Sequence, residues 1–284
     1  MSPSLLSVED CRVSYGAVTA LNGVSLQLAP GEAVGIVGPL SAGKTTLLNT
    51  ISGLVAPQRG LLRYRDRDLR GVPADARARQ GIVHVPADGG FFATLTVAEN
   101  LALAGPARRS RDAFTPVTQL FPVLGERLEQ RAGSLSGGEQ RQLAIARGAL
   151  AEPSLLLLDE PLLGLSPKTV HRVLALLSAL REQSVAMLVV EERPTEDLTR
   201  LVDRVVGIRN GRIVPAEDVA GTRVAVGAAA GSLDRVDVET IGIPLSTRDR
   251  RALQTIAQAA GEPVGAVVAH IIHEHVESSK EVWQ

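Results

Sequence analysis

Residues 33–51 read AVGIVGPLSAGKTTLLNTI. Ala33 to Val37 is a continuous apolar run, the pattern of a short strand buried on both faces. The run meets Gly38, and from Lys44 to Ile51 the pattern reads as helix. Between them Gly38, Gly43, Lys44 and Thr45 fit G-x-x-x-x-G-K-[ST]. That spacing wraps backbone N–H groups around a phosphate chain, and the helix N-terminus adds partial positive charge. Lys44 is placed to reach the β and γ phosphates, and the Thr45 hydroxyl to ligate Mg2+. Ser41, Ala42 and Thr46 complete the expected nucleotide-binding loop.

Further apolar runs extend the pattern outward. Ile82 to Val85, Leu155 to Leu158, Val185 to Val190 and Val205 to Ile208 read as buried strands. Helical patterns separate them, including one from Pro167 to Glu182 with Val170, Val173, Leu174 and Leu177 on one stripe. Parallel apolar strands alternating with helices give an α/β sheet. Ahead of them, Val8, Cys11, Val13 and Tyr15, then Val24, Leu26 and Leu28, read as an antiparallel ribbon, with Asn22–Gly23 as its turn signal. The stretch from Gly53 to Gly81 reads as polar, with turn signals at Gln58–Gly60 and Gly71–Pro73. From Ala98 to Ala149 the pattern is mostly helical, broken by a loop at Gly133 to Gly138.

Two more motifs carry chemistry. In LLLLDEP, residues 155–161, an apolar strand ends in two carboxylates. Asp159 suits Mg2+ held through a water, and Glu160 suits polarising the attacking water. In LSGGEQRQ, residues 135–142, two glycines before a helix offer bare N–H groups to an anion. The same residues form a helix N-cap, with Ser136 and Glu139 at capping-box spacing.

Composition bounds the rest. The 284 residues are 45% hydrophobic and 21% charged, which excludes wholesale disorder. Thirty Lys or Arg against 31 Asp or Glu leave a net charge of −1, so a generally basic nucleic-acid binder is not expected. A single cysteine, Cys11, cannot close an internal disulfide or supply a Cys-rich zinc site. The N-terminal residues show no signal-peptide pattern, and no apolar run is long enough to cross a bilayer. A chain that docks on a membrane protein is compatible with both.

The GPLSAGKTT loop, the LSGGEQ signature and the LLLLDEP strand stand in the order found in the ATP-binding-cassette ATPases, and the chain resembles that family over about 220 residues. The resemblance implies ATP and Mg2+ as ligands and a head-to-tail pair of cassettes. Each ATP would then lie between one subunit's phosphate loop and the signature of a second ABC ATPase subunit, identical or not. By that resemblance Ser136, Gly137 and Gly138, with Glu139, serve the partner's ATP, and Tyr15 is the aromatic that stacks on adenine. The runs VPADGGFFATLTVAENL, EPLLGLSP and LVVEERP are similar to the branched-chain amino-acid importer ATPases. That similarity implies a cytoplasmic subunit on the inner face of the cell membrane, driving transmembrane permease subunits. The alternative is a soluble, nucleotide-gated regulatory cassette with weak ATPase activity.

Several positions depart from the family. Leu40 and Ser41 stand where Asn or Ser followed by Gly is usual, which removes freedom from a tight loop and is expected to alter nucleotide affinity. Ala87 stands at the Gln or Glu that senses Mg2+ and the γ-phosphate, with Asp88 beside it. Glu192 stands at the switch histidine, where a carboxylate repels a phosphate. These changes lead to the expectation of a competent but slow ATPase.

The sequence divides into a cassette at 1–220 with its helical subdomain at about 86–150, a Gly/Ala-rich linker at 221–234, and a tail at 235–284. The tail resembles a ribbon-helix-helix module, a strand followed by two amphipathic helices, and is expected to dimerise or regulate. Its five Lys or Arg against seven Asp or Glu argue against DNA binding. The expected fold is thus α/β: a phosphate-loop NTPase core of ABC type with an N-terminal antiparallel ribbon, an inserted helical subdomain and a small C-terminal strand-helix-helix appendage.

Overall fold

A computed structural model describes residues 4–104 and 111–220. The linker and the ribbon-helix-helix reading of the tail lie outside the described residues.

Two sheets and nine helices organise the described chain. The first sheet is antiparallel, in the order β2-β1-β4-β5, from β1 (Leu6–Tyr15), β2 (Val18–Leu28), β4 (Arg59–Tyr64) and β5 (Arg67–Asp68). The second has six strands in the order β10-β9-β3-β8-β7-β6. Its members are β3 (Ala33–Val37), β6 (Ile82–Val85), β7 (Leu155–Asp159), β8 (Ala186–Glu191), β9 (Arg204–Arg209) and β10 (Arg212–Pro215). β9, β3, β8, β7 and β6 run parallel, and β10 closes one edge antiparallel to β9.

The helices are α1 (Lys44–Ser52), α2 (Ala74–Arg79), α3 (Val97–Ala102), α4 (Thr115–Leu120), α5 (Pro122–Glu126), α6 (Gly137–Leu150), α7 (Pro167–Glu182), α8 (Glu196–Leu201) and α9 (Glu217–Ala220). α3 to α6 all fall between β6 and β7 in the chain.

Side-chain alternation on the parallel strands explains the continuous apolar runs. Leu155 and Leu157 of β7 join a core that includes Leu47, Leu48 and Ile51 of α1 and Leu6, Val13 and Leu28 of the antiparallel sheet. Leu156 and Leu158 point the other way, into a core shared with Leu143 of α6 and Val173 and Leu177 of α7. Both faces are covered, so neither can carry polar residues. At roughly 1.5–3 kcal/mol per fully buried Leu or Val, these two layers fix where β3, β7 and β8 end, and the site is built at those ends.

Two readings of the sequence are corrected here. Asn22–Gly23 does not turn the ribbon. The chain reverses at Gly16–Ala17, where Tyr15 pairs with Val18. Gly23 lies inside β2 as the extra residue of a bulge, between the pairs Cys11–Val24 and Arg12–Asn22, with φ 81°. The polar stretch 53–81 is not only turns. It holds β4, β5 and α2, because Leu62 and Tyr64 alone supply β4 with a fully buried face.

Candidate functional site

The loop from Gly38 to Gly43 links β3 to α1. Gly38 leaves the sheet where a Cβ would lie 2.3 Å from the Ile208 carbonyl oxygen. Gly43 takes φ 108°, and a Cβ there would lie 2.5 Å from the Ala20 carbonyl oxygen. Ser41 keeps the left-handed backbone, φ 63°, that a glycine would adopt freely. Pro39, Leu40 and Ser41 are exposed, while Ala42, Gly43 and Lys44 are buried. The Lys44 ammonium donates to the Gly38 carbonyl at 2.7 Å and to the Pro39 carbonyl at 3.0 Å, across the mouth of the loop. No side chain caps α1. Its first-turn amides are therefore available to an anion. Thr45 is exposed at that turn, and Thr46 is partly buried behind it.

Two carboxylates follow β7. Asp159 is 1% exposed, and neither of its oxygens has a hydrogen-bond partner among the described residues. A buried carboxylate left so is costly unless a cation or its hydration shell completes it. Asp159 and the Thr45 hydroxyl are hard-oxygen donors, the ligand type that suits Mg2+. Among the described residues no cluster of three His, Cys, Asp or Glu could hold a metal unaided. Glu160 takes a left-handed backbone, φ 49°. Its N–H donates to the Val190 carbonyl at 2.9 Å, and its carboxylate lies 3.9 Å from the Lys44 ammonium.

Sequence reasoning passed over Glu191, the last residue of β8. It is 9% exposed, and burial, with the charge of Glu160 beside it, pushes its carboxyl up to about 7. The Leu162 amide, Arg141 and Lys44 oppose that shift. The signal was present: AMLVVE ends an apolar strand in a carboxylate, as LLLLD does. Arg141 of α6 was also missed; its guanidinium donates to the Asp159 carbonyl at 3.4 Å. His84 of β6 is a third. Both of its ring nitrogens are buried without a partner among the described residues. Burial lowers its pKa, and the negative charges of Asp159 and Asp88 oppose that.

The sensor positions lie further out. Ala87 and Asp88 are exposed in the loop after β6, and the Asp88 carboxylate accepts the Gly90 N–H at 3.1 Å. Glu192 points to solvent, its carboxylate 3.9 Å from the Arg193 guanidinium and its side chain 60% exposed.

Ser136 is the N-cap of α6, and Ser136 and Gly137 are exposed. A Cβ on Gly137 would meet nothing within 4 Å, so the space beside this helix end is open. Gly138, next in the first turn, is partly buried. Glu139 turns inward: its carboxylate accepts the Ser136 N–H at 2.9 Å and pairs with Arg127 at 3.1 Å. Tyr15 sits at the ribbon tip, 51% exposed, with its ring free to stack. A separate groove of about 690 Å3 runs beside the loop after β6, lined in part by Leu54, Val83, Pro86, Leu103 and Arg147. Among the described residues no helix is long and apolar enough to cross a membrane.

The profile of the family described as ABC transporter matches residues 21–163. The chain is 41% identical over 213 residues to the high-affinity branched-chain amino acid transport ATP-binding protein BraG of Pseudomonas aeruginosa, covering 74% of this chain and 91% of that protein. It is 33% identical over 230 residues to the corresponding protein LivG of Escherichia coli, covering 74% and 90%. Among solved structures, an ATP-binding subunit of an ABC transporter superposes with TM-score 0.67 at 28% identity, over 78% of this chain and 95% of that one. A dimeric ATP-binding cassette bound to ADP and Pi shares the fold at TM-score 0.66 and 23% identity, over 74% and 98%.

Proposed function

The chain belongs to the ABC transporter family as an ATP-binding subunit with ATPase activity, and from that premise we propose that it powers an importer of branched-chain amino acids or similar small solutes. The observation that carries the reading is the convergence of a buried lysine, an unpartnered buried aspartate and a partly buried glutamate at the ends of β3 and β7. Similarity to the branched-chain amino acid transport proteins supports the solute class.

In this reading the loop from Gly38 through Ser41 and Ala42 to Gly43, with the amides of Lys44, Thr45 and Thr46, holds the phosphate chain of ATP. The Lys44 ammonium neutralises the β and γ oxygens. Thr45 and Asp159 would hold Mg2+, which would supply charge neutralisation to the phosphate oxygens. Glu160 orients and polarises the attacking water from beside Lys44. Tyr15 stacks on the adenine. Ser136 contacts the γ-phosphate held by a second cassette through its hydroxyl and Gly137 and Gly138 through their amides, while the inward turn of Glu139, which takes the Ser136 N–H, gives it the role of stiffening that helix end. Ala87 brings no polar side chain to the γ-phosphate, and Glu192 puts a solvent-facing carboxylate where the family has its switch histidine, which supports slow turnover.

The domain division at 220, the linker at 221–234 and a dimerising or regulatory tail at 235–284 belong to the same proposal. So does a location on the cytoplasmic face of the membrane. The groove beside Pro86 and Leu103 suits an apolar segment of a permease subunit, because its walls are largely aliphatic.

The test is capture of a tagged Glu160→Gln chain with Mg-ATP from detergent-solubilised membranes and from cytosol. A multi-spanning membrane protein at stoichiometric yield supports the importer reading. A self-dimer or a soluble partner alone sinks it.

A further inference from the structure

The segment after Glu160, Pro161 to Ser166, leaves the sheet as a loop in which Leu163, Gly164 and Ser166 are exposed, Leu163 by 60%. Two of its backbone bonds are local, from the Leu163 N–H to Glu160 at 3.3 Å and from the Leu165 N–H to Leu162 at 3.4 Å. A third polar tie comes from another strand: the Leu162 N–H donates to Glu191 Oε1 at 3.2 Å. Glu191 also serves the phosphate loop, because its carbonyl accepts the Gly38 N–H at 3.3 Å. One residue back on β8, the Val190 carbonyl accepts the Glu160 N–H at 2.9 Å. The end of β8 is thereby bonded on one side to the start of the phosphate loop and on the other to the residue bearing the attacking-water carboxylate and to the loop after it.

We propose that Glu191 is a positioning residue for ATP hydrolysis: its carboxyl pins the loop after Glu160 to the end of β8 and so holds the Glu160 carboxylate in line with the phosphate loop. The assignment rests on the reading of Glu160 as the group that polarises water. Glu160 itself sits in a left-handed backbone that few residues adopt. Its neighbours must hold that conformation, and the Leu162 tie is the side-chain contact that does so from the next strand. The carboxyl is set among Glu160, Arg141 and Lys44. Burial favours its neutral form, which keeps a second full negative charge away from Glu160 and the nucleotide.

The test compares Glu191→Gln, Glu191→Ala and Glu191→Asp in the full chain. Steady-state ATP hydrolysis and deuterium uptake of the 160–166 segment are measured on each. Gln keeps an acceptor of the same reach; Ala removes it, and Asp is one methylene too short. The expected result is faster exchange at 160–166 in Ala and Asp with kcat lowered roughly 10- to 100-fold, the range for a displaced catalytic group. KM for ATP changes far less, and Gln restores both the protection and most of kcat. Where Ala does not fold, Asp and Gln decide. Unchanged kcat in Asp or Ala overturns the proposal, and so does a loss in Gln equal to that in Ala with protection intact. Glu160→Gln is the control: full turnover there overturns the reading of Glu160, while the exchange data still judge the tether separately.

Discussion

Replacing Ser41 with glycine should stabilise this protein, although glycine usually weakens a fold. Ser41 holds φ 63° in an exposed loop bracketed by Gly38 and Gly43. A residue with a Cβ is about 1–2 kcal/mol less stable there than in the right-handed region. Glycine removes that strain but loses about 0.5–1 kcal/mol more chain entropy on folding. The difference favours Ser41→Gly by roughly 0.5–1 kcal/mol, a melting shift of about +1 to +4 °C for a domain of this size. Ser41→Val should move the other way, by about 2 kcal/mol or more, because β-branching is disfavoured at positive φ. The assay is thermal unfolding of the full chain without nucleotide, with Ser41→Ala as the reference that keeps the strain. A melting point for Ser41→Gly below that of the parent chain would refute the strain argument.

Glu191 makes stability depend on pH. Its carboxyl is raised from 4.5 to about 7 in the fold. Its contribution is therefore fully present below the lower value and lost as pH rises through the higher one, by at most about 3 kcal/mol. The urea stability of the parent relative to Glu191→Gln should fall between pH 5 and 8, and a constant difference would contradict it. Gly148→Ala places a Cβ 2.6 Å from Val85 Cγ2. It should destabilise by about 1–3 kcal/mol as α6 is pushed off β6, despite the better helix propensity of alanine; equilibrium denaturation reads this directly. Lys44→Ala removes the ammonium that spans the loop mouth. Binding of a fluorescent ATP analogue should weaken by about 10-fold or more, the worth of a hydrogen bond to a charged group, with little change in melting temperature.

Much of the core was legible because its patterns are local. The runs at 33–37, 82–85 and 155–158 name strands buried on both faces, and α7 begins and ends where its apolar stripe does, Pro167 to Glu182. Strands that depend on their partners were not legible. β4 carries Arg63 between its buried Leu62 and Tyr64 and β10 is four residues long, so β4 is a strand through its pairing with β1 and β10 through its pairing with β9. Asn22–Gly23 misled for a related reason: a glycine at positive φ serves a bulge as well as a turn, and only the partner strand decides which.

At the site, the sequence by itself determined the chemistry. Gly38, Gly43, Lys44, Thr45, Asp159 and Glu160 are recognisable because the phosphate and Mg2+ binding proposed for them demands fixed residue types at fixed local spacing. Tertiary structure alone decided how those residues are held. It set Ser41 in a glycine's conformation and left the Asp159 oxygens without partners among the described residues. It also placed Glu191, 31 positions after Glu160, beside that residue and bonded it to the Leu162 amide. Such relations arise from the register of parallel strands joined through long crossovers, and no local pattern along the chain encodes that register.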